Sequence, residues 1–200
     1  MLDRPLRKHC DRLLSPLADS LAGISLSAEA ITLSGLGLAT TAVLFLSLQW
    51  WSAALIAILL NRICDGLDGM VARRRSPTVF GGYLDSICDQ LFYAAIPLGF
   101  GLANQEFLLP SLILLFSFFA SSGSFLAWAA VTSGHSSDGR RSADKAFEYS
   151  PGLMEGTETI LFFVLFCLLP DRYPALAGLF AALCGVTALQ RVLRARRLLS

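Results

Sequence analysis

Apolar residues dominate this chain, and polar ones interrupt them in blocks. Six mostly apolar runs can be marked, at residues 29–51, 52–74, 79–103, 107–132, 151–170 and 174–195. A helix that crosses a bilayer needs about 20 such residues, so each run is a candidate span. The second and third runs are polar at one end only. The link "PDRYP" after the fifth is short and bounded by prolines, as a tight turn requires. Ahead of the first run, Leu6, Leu13, Leu14, Leu17 and Leu21 recur near helical spacing. Arg4, Arg7, Lys8, Asp11 and Arg12 lie between them. That pattern predicts an amphipathic helix in the membrane interface, with Pro16 a candidate break. The expected fold is all-α: a polytopic integral membrane protein with six transmembrane helices preceded by an N-terminal amphipathic interfacial helix. Residues 1–26 would form the interfacial element and 27–200 the six-helix transmembrane domain.

Composition strengthens this reading. Hydrophobic residues make up 54% of the chain and charged residues only 16%, with a mean hydropathy of +0.61. Soluble domains carry about a quarter charged residues. The net charge of +1 leaves no broad basic face, so nucleic acid is not an expected partner. Cys10, Cys64, Cys88, Cys167 and Cys184 form no CxxC pair and read as small buried thiols. Met1–Cys10 is charged, and no apolar stretch follows within the first 20 residues, so a cleavable signal is not expected.

Basic residues suggest the orientation. Fourteen of the 16 lysines and arginines fall in the N-terminal segment, the 2/3 link, the 4/5 link or the C-terminal tail. The exceptions are Arg62, inside the second run, and Arg172, in the 5/6 link. With six spans those four regions share one side, and the positive-inside rule makes that side cytoplasmic. Both termini and the polar ends of spans two and three are therefore expected in the cytoplasm, at a bacterial inner membrane.

Those polar ends hold the chemistry. Asp65 and Asp68 are three apart, and Ala72 follows on the same helical face. Asp85 and Asp89, four apart, share a face of the next helix. A short link around Ser76–Pro77 makes the two helices antiparallel neighbours, so the faces can meet. Four ionised carboxylates at membrane depth would repel one another and resist desolvation. Divalent cations answer both problems, and carboxylate oxygens suit Mg²⁺ or Mn²⁺. Two such ions about 4 Å apart can hold a diphosphate. Gly66, Gly69, Ala72, Gly81 and Gly82 leave these faces without bulk, so a ligand or a second backbone can approach. A calcium-binding loop fits poorly: Leu67, Met70 and Val71 are wrong for solvated oxygen ligands, and no Glu stands at the twelfth position.

The pattern Asp65-x-x-Asp68-Gly69-x-x-Ala72-Arg73, then Gly81-x-x-x-Asp85-x-x-x-Asp89, resembles the signature of the CDP-alcohol phosphotransferases, the phosphatidyltransferase family of phospholipid synthesis. All eight signature residues are present, and six spans after an interfacial helix match over nearly the whole chain. Two departures stand out. Seven residues separate Arg73 from Gly81, where eight are usual. "SAEAIT" stands where many members have Pro-Asn before an Ile/Leu-Thr pair.

The resemblance implies transfer of a substituted phosphate from a CDP-alcohol, such as CDP-diacylglycerol, to an acceptor hydroxyl with release of CMP. It implies Asp65, Asp68, Asp85 and Asp89 as ligands of two Mg²⁺ or Mn²⁺ ions. Asp89 would also act as the general base. Gly69, Ala72, Arg73 and Gly81 would bind the CDP-alcohol. A homodimer in the lipid bilayer is implied as well.

Acceptor residues are less sharply marked. Arg74, Arg75, Arg140, Arg141 and Lys145 can receive a phosphate or simply set topology. Glu155 and Glu158 can hold an amine or polyol, or favour a helix N-terminus. Arg62, three before Asp65, reads as a carboxylate partner; His9 and His135 earn no role. Two rival readings are an intramembrane prenyltransferase acting on an isoprenoid diphosphate and a cation-coupled transporter. The first needs more spans and lacks the Gly-x-x-Ala-Arg element. The second favours internal repeats and broken helices at mid-membrane; no repeat is visible here, and the Asp cluster lies at one end.

Overall fold

The computed structural model describes residues 3–23, 26–133, 154 and 156–199, and these are almost wholly helical. The elements are α1 (Asp3–Gly23), α2 (Ala28–Ser47), α3 (Trp51–Arg75), α4 (Val79–Ala103), α5 (Gln105–Ser133), α6 (Gly156–Leu168), a 3-10 turn (Pro170–Arg172) and α7 (Tyr173–Leu199).

Local chemistry sets the boundaries. Ser27 caps α2 by accepting from the Ala30 amide at 3.1 Å, and Glu29 adds negative charge to the first turn. The first apolar run breaks earlier than its hydrophobicity suggests, because Gln49 turns to a φ of 60°. The Trp50 amide then bonds to the Phe45 carbonyl at 2.8 Å. Between α3 and α4, Pro77 favours the extended backbone seen at Ser76. Thr78 caps α4, accepting from the Gly81 amide at 2.8 Å.

Pro16 does not break α1, contrary to the expectation from its type. Arg74 of α3 lies against this stretch. It donates to Asp19 and to the Ser15 hydroxyl, and so holds the turns on both sides of the proline.

α2 packs against both α3 and α4, α1 lies on α3, α5 bridges α4 and α7, and α6 contacts α3 and α7. Near one end α2 and α4 come very close. A Cβ at Gly99 would lie 2.8 Å from Leu46, so only glycine permits that approach. The same end carries an aromatic core. Phe100 stacks on Tyr173 with centroids 4.2 Å apart, and Phe107 and Phe166 close around them. The Tyr173 hydroxyl pairs with Ser111 at 2.6 Å. Between lipid-embedded helices such packing works through van der Waals contact more than through exclusion of water. The core fixes the helix ends opposite the aspartates.

Among the described residues, four helices are long and apolar enough to cross a membrane: α2, α4, α5 to Val131, and the turn with α7. α6 is apolar but has only 13 residues. α3 is long enough, but its second half carries the charges. Leu109, Phe116 and Phe119 are exposed along α5, an apolar surface that suits lipid.

Candidate active site

α3 and α4 bring the aspartates together as the spacing predicts. One oxygen each from Asp65, Asp68 and Asp85 lies within 4.8 Å of the other two. Asp68 is buried and the other two are half-buried. Carboxylates this close repel unless a cation lies among them, and an all-oxygen donor set fits Mg²⁺ or Mn²⁺.

Asp89 stands beside this trio with a different partner. Arg62 Nη2 donates to Asp89 Oδ1 at 3.1 Å, and Nη1 lies 3.5 Å from Asp65 Oδ2. Arg62 therefore pairs with carboxylates, as its position before Asp65 suggests.

Two spaces adjoin the trio. The inner one holds about 10 Å³, room for about one water-sized group. Asp65, Asp68, Asp85 and Asp89 all line it, with Thr32 and Arg62. The outer one is a cavity of about 310 Å³, within reach of a small-ligand site. Gly69, Ala72, Arg73, Arg75 and Gly81 line it, and Asp68 and Asp85 face both spaces.

The glycines differ in what they admit. At Gly69 a Cβ would meet only the Arg73 side chain, 3.3 Å away, on the wall of the outer cavity. At Gly81 a Cβ would fall 2.9 Å from the capping hydroxyl of Thr78 and 3.4 Å from Glu29. That glycine protects a helix cap as well as the cavity. Gly66 faces α1, with Leu14 at 3.3 Å. The approach there is made by a neighbouring helix.

The acceptor candidates scatter. Arg75 lines the outer cavity and donates to the Leu26 carbonyl at 2.9 Å. Arg74 lines neither space, because its guanidinium is bound to α1. Glu158 lies in the first turn of α6 and also lines neither. Arg140, Arg141, Lys145 and Glu155 lie outside the described residues.

Two residues join the site without having been singled out. Thr32 donates to Asp68 Oδ2 at 2.7 Å from α2. Asn61 donates to the Gly35 carbonyl at 2.8 Å and accepts from Arg62. Thr32 carried a signal, since it is the threonine of "SAEAIT". Asn61 carried only its polarity within an apolar run.

Comparison with known proteins agrees with this geometry. The profile of the CDP-alcohol phosphatidyltransferase family matches residues 25–189. The inner membrane protein YnjF of Escherichia coli is 46% identical over 193 residues, covering 96% of this chain and 94% of that protein. An archaetidylinositol phosphate synthase of Methanothermobacter thermautotrophicus is 41% identical over 111 residues, 53% of each chain. The fold resembles that of the Mycobacterium tuberculosis phosphatidylinositol phosphate synthase with CDP-DAG bound. The TM-score is 0.71 at 20% identity, covering 90% of this chain and 92% of that one. The same enzyme in complex with manganese and citrate gives a TM-score of 0.73 at 21% identity, covering 88% and 86%. This chain, a multi-pass membrane phosphotransferase, belongs to the CDP-alcohol phosphatidyltransferase family.

Proposed function

We propose that this protein transfers a phosphatidyl group from CDP-diacylglycerol, or a related group from another CDP-alcohol, to an acceptor hydroxyl and releases CMP. One observation carries the reading. Two members of the Asp65–Asp68–Asp85 trio, Asp68 and Asp85, open onto a cavity of about 310 Å³ walled by Gly69, Ala72, Arg73 and Gly81. A cytidine diphosphate lying along that wall would present its phosphates to the carboxylate end.

Asp65, Asp68 and Asp85, with Asp89, would hold two Mg²⁺ or Mn²⁺ ions. When bound, these ions neutralise the diphosphate and polarise its phosphorus. The rest falls to the chain. Arg73 and the small residues hold the nucleotide. Asp89 takes the proton of the acceptor hydroxyl, which is so weak an acid that it demands a base within reach. The acceptor oxygen then bonds to phosphorus as the bond to CMP breaks, and CMP leaves with the electron pair. The mycobacterial enzyme's CDP-DAG and manganese complexes support the same substrate class and metal.

Arg75, on the cavity wall, is the best-placed acceptor contact, with Lys145, Glu155 and Glu158 as further candidates. α3 and α6 complete six spans, α1 lies in the interface, and both termini and the site face the cytoplasm at an inner membrane. The unit is a homodimer by family resemblance.

The test incubates purified protein and Mg²⁺ with CDP-diacylglycerol and a panel of polyol, polyol phosphate and amino-alcohol acceptors. Release of CMP with formation of a new lipid is expected. No CMP release with any CDP-alcohol would refute the reading.

A further inference from the structure

Arg62 is held from four sides. Its Nε and Nη2 donate to Asn61 Oδ1 at 2.9 and 2.6 Å. Nη2 also donates to Asp89 Oδ1 at 3.1 Å, and Nη1 faces Asp65 Oδ2 at 3.5 Å. The Phe92 ring closes one face of the guanidinium, with Cζ 4.0 Å from its centroid. The Arg62 side chain is only 17% exposed. Asn61 is itself anchored to the Gly35 carbonyl of α2. A rigid chain of contacts therefore runs from α2, through Asn61 and Arg62 on α3, to Asp89 on α4.

We infer that Arg62 is a positioning residue for the transfer: it fixes Asp89 by one carboxylate oxygen and leaves the other to the inner space, where the proton is taken. The inference rests on the reading of Asp89 as the base. A planar fork suits this task, because it binds two carboxylates and stacks on a ring at once. The trio Asp65, Asp68 and Asp85 gathers without Asp89, which is held instead by Arg62. Arg62 also brings a positive charge close to the carboxylates, so it opposes cation binding while it orders the base.

Those two effects have opposite signs, and the test uses both. Arg62→Met and Arg62→Lys are purified as the full chain. CMP release is measured with CDP-diacylglycerol and the acceptor panel, and Mn²⁺ binding is followed by electron paramagnetic resonance. Arg62→Met should lower kcat about 10- to 100-fold, the range of a lost outer partner, with KM for CDP-diacylglycerol within about twofold. Mn²⁺ should bind more tightly, because an opposing charge has gone. Arg62→Lys keeps the charge but not the fork, and should recover part of the rate. In an Asp89→Asn background, Arg62→Met should cost less than about threefold more, because the two residues act as one unit. An equal loss in both backgrounds, or weaker Mn²⁺ binding, overturns the inference. Near-normal turnover by Asp89→Asn alone removes the base and this role for Arg62 with it. Absence of CMP release from the unsubstituted protein would instead count against the reaction class.

Discussion

Thr32 and Asp68 meet across the α2–α3 contact, where the threonine hydroxyl donates to Asp68 Oδ2 at 2.7 Å. Both residues are buried. The same hydroxyl lies 3.1 Å from the Ala28 carbonyl one turn earlier, so it is oriented by its own helix. The bond restrains one carboxylate oxygen of a residue that belongs to the trio. Thr32→Val keeps the shape and removes the donor. It should lower Mn²⁺ affinity or turnover about 10- to 100-fold, as loss of a ligand's outer partner does. Thr32→Ser restores the hydroxyl and should recover most of that loss. Titration of Mn²⁺ into both variants makes the comparison. Equal behaviour of Val and Ser would show that the hydroxyl is incidental.

Chelation should abolish CMP release, and Mg²⁺ or Mn²⁺ should restore it. The motive is the crowding of Asp65, Asp68 and Asp85, whose oxygens share a space of 4.8 Å. A divalent cation among carboxylates packed this way offsets their repulsion. Asp65→Asn and Asp68→Asn should each weaken Mn²⁺ binding and nucleotide binding together. Activity that survives exhaustive chelation would rule out a metal-dependent transfer.

How far the site was legible depended on the range of each interaction. The four aspartates were readable because helical spacing alone puts them on facing surfaces once the Ser76–Pro77 link is recognised. Arg62 was readable as a carboxylate partner from its place one turn before Asp65. The division between Arg74 and Arg75 was not readable. Three adjacent arginines on one helix point about 100° apart, and only the packing of α1 decides which faces the cavity. Gly66 and Gly69 looked alike for the same reason, yet one faces Leu14 and the other faces Arg73. Arg74, which meets α1 on either side of Pro16, is 58 residues away in sequence. The early end of α2 was hidden because Gln49 lies in an apolar run with no turn residue to mark it.

Topology offers a separate prediction. Both termini should lie on the cytoplasmic side with the aspartates, and the turn at 170–172 on the opposite side. In oriented inner-membrane vesicles, a cysteine at Ser200 should react only with reagent on the cytoplasmic face. A cysteine at Asp171 should react only from the other face. The reverse pattern would move the active site across the membrane.

Arg74 separates two roles that the sequence left open. Its guanidinium spans Asp19 and Ser15 of α1 and lines neither space of the site. Exposed ion pairs are worth about 0–1 kcal/mol, and here Asp19 is largely exposed. Arg74 also holds the turns on both sides of Pro16, so its loss should loosen α1 more than it destabilises the whole protein. Ala18, fully buried beside Met70 and Val71, is the apolar contact that would remain. Arg74→Met should therefore raise amide hydrogen exchange across α1, with KM for the acceptor changed less than about twofold. An acceptor contact would behave differently: truncating a charge that binds a phosphate costs about 2–5 kcal/mol. That would raise the acceptor KM by more than about tenfold and leave α1 exchange alone. Arg75→Met, on the cavity wall, is the matched control and should show the larger KM effect. If Arg74→Met gives the steep rise instead, the guanidinium leaves α1 during turnover and belongs to the acceptor site.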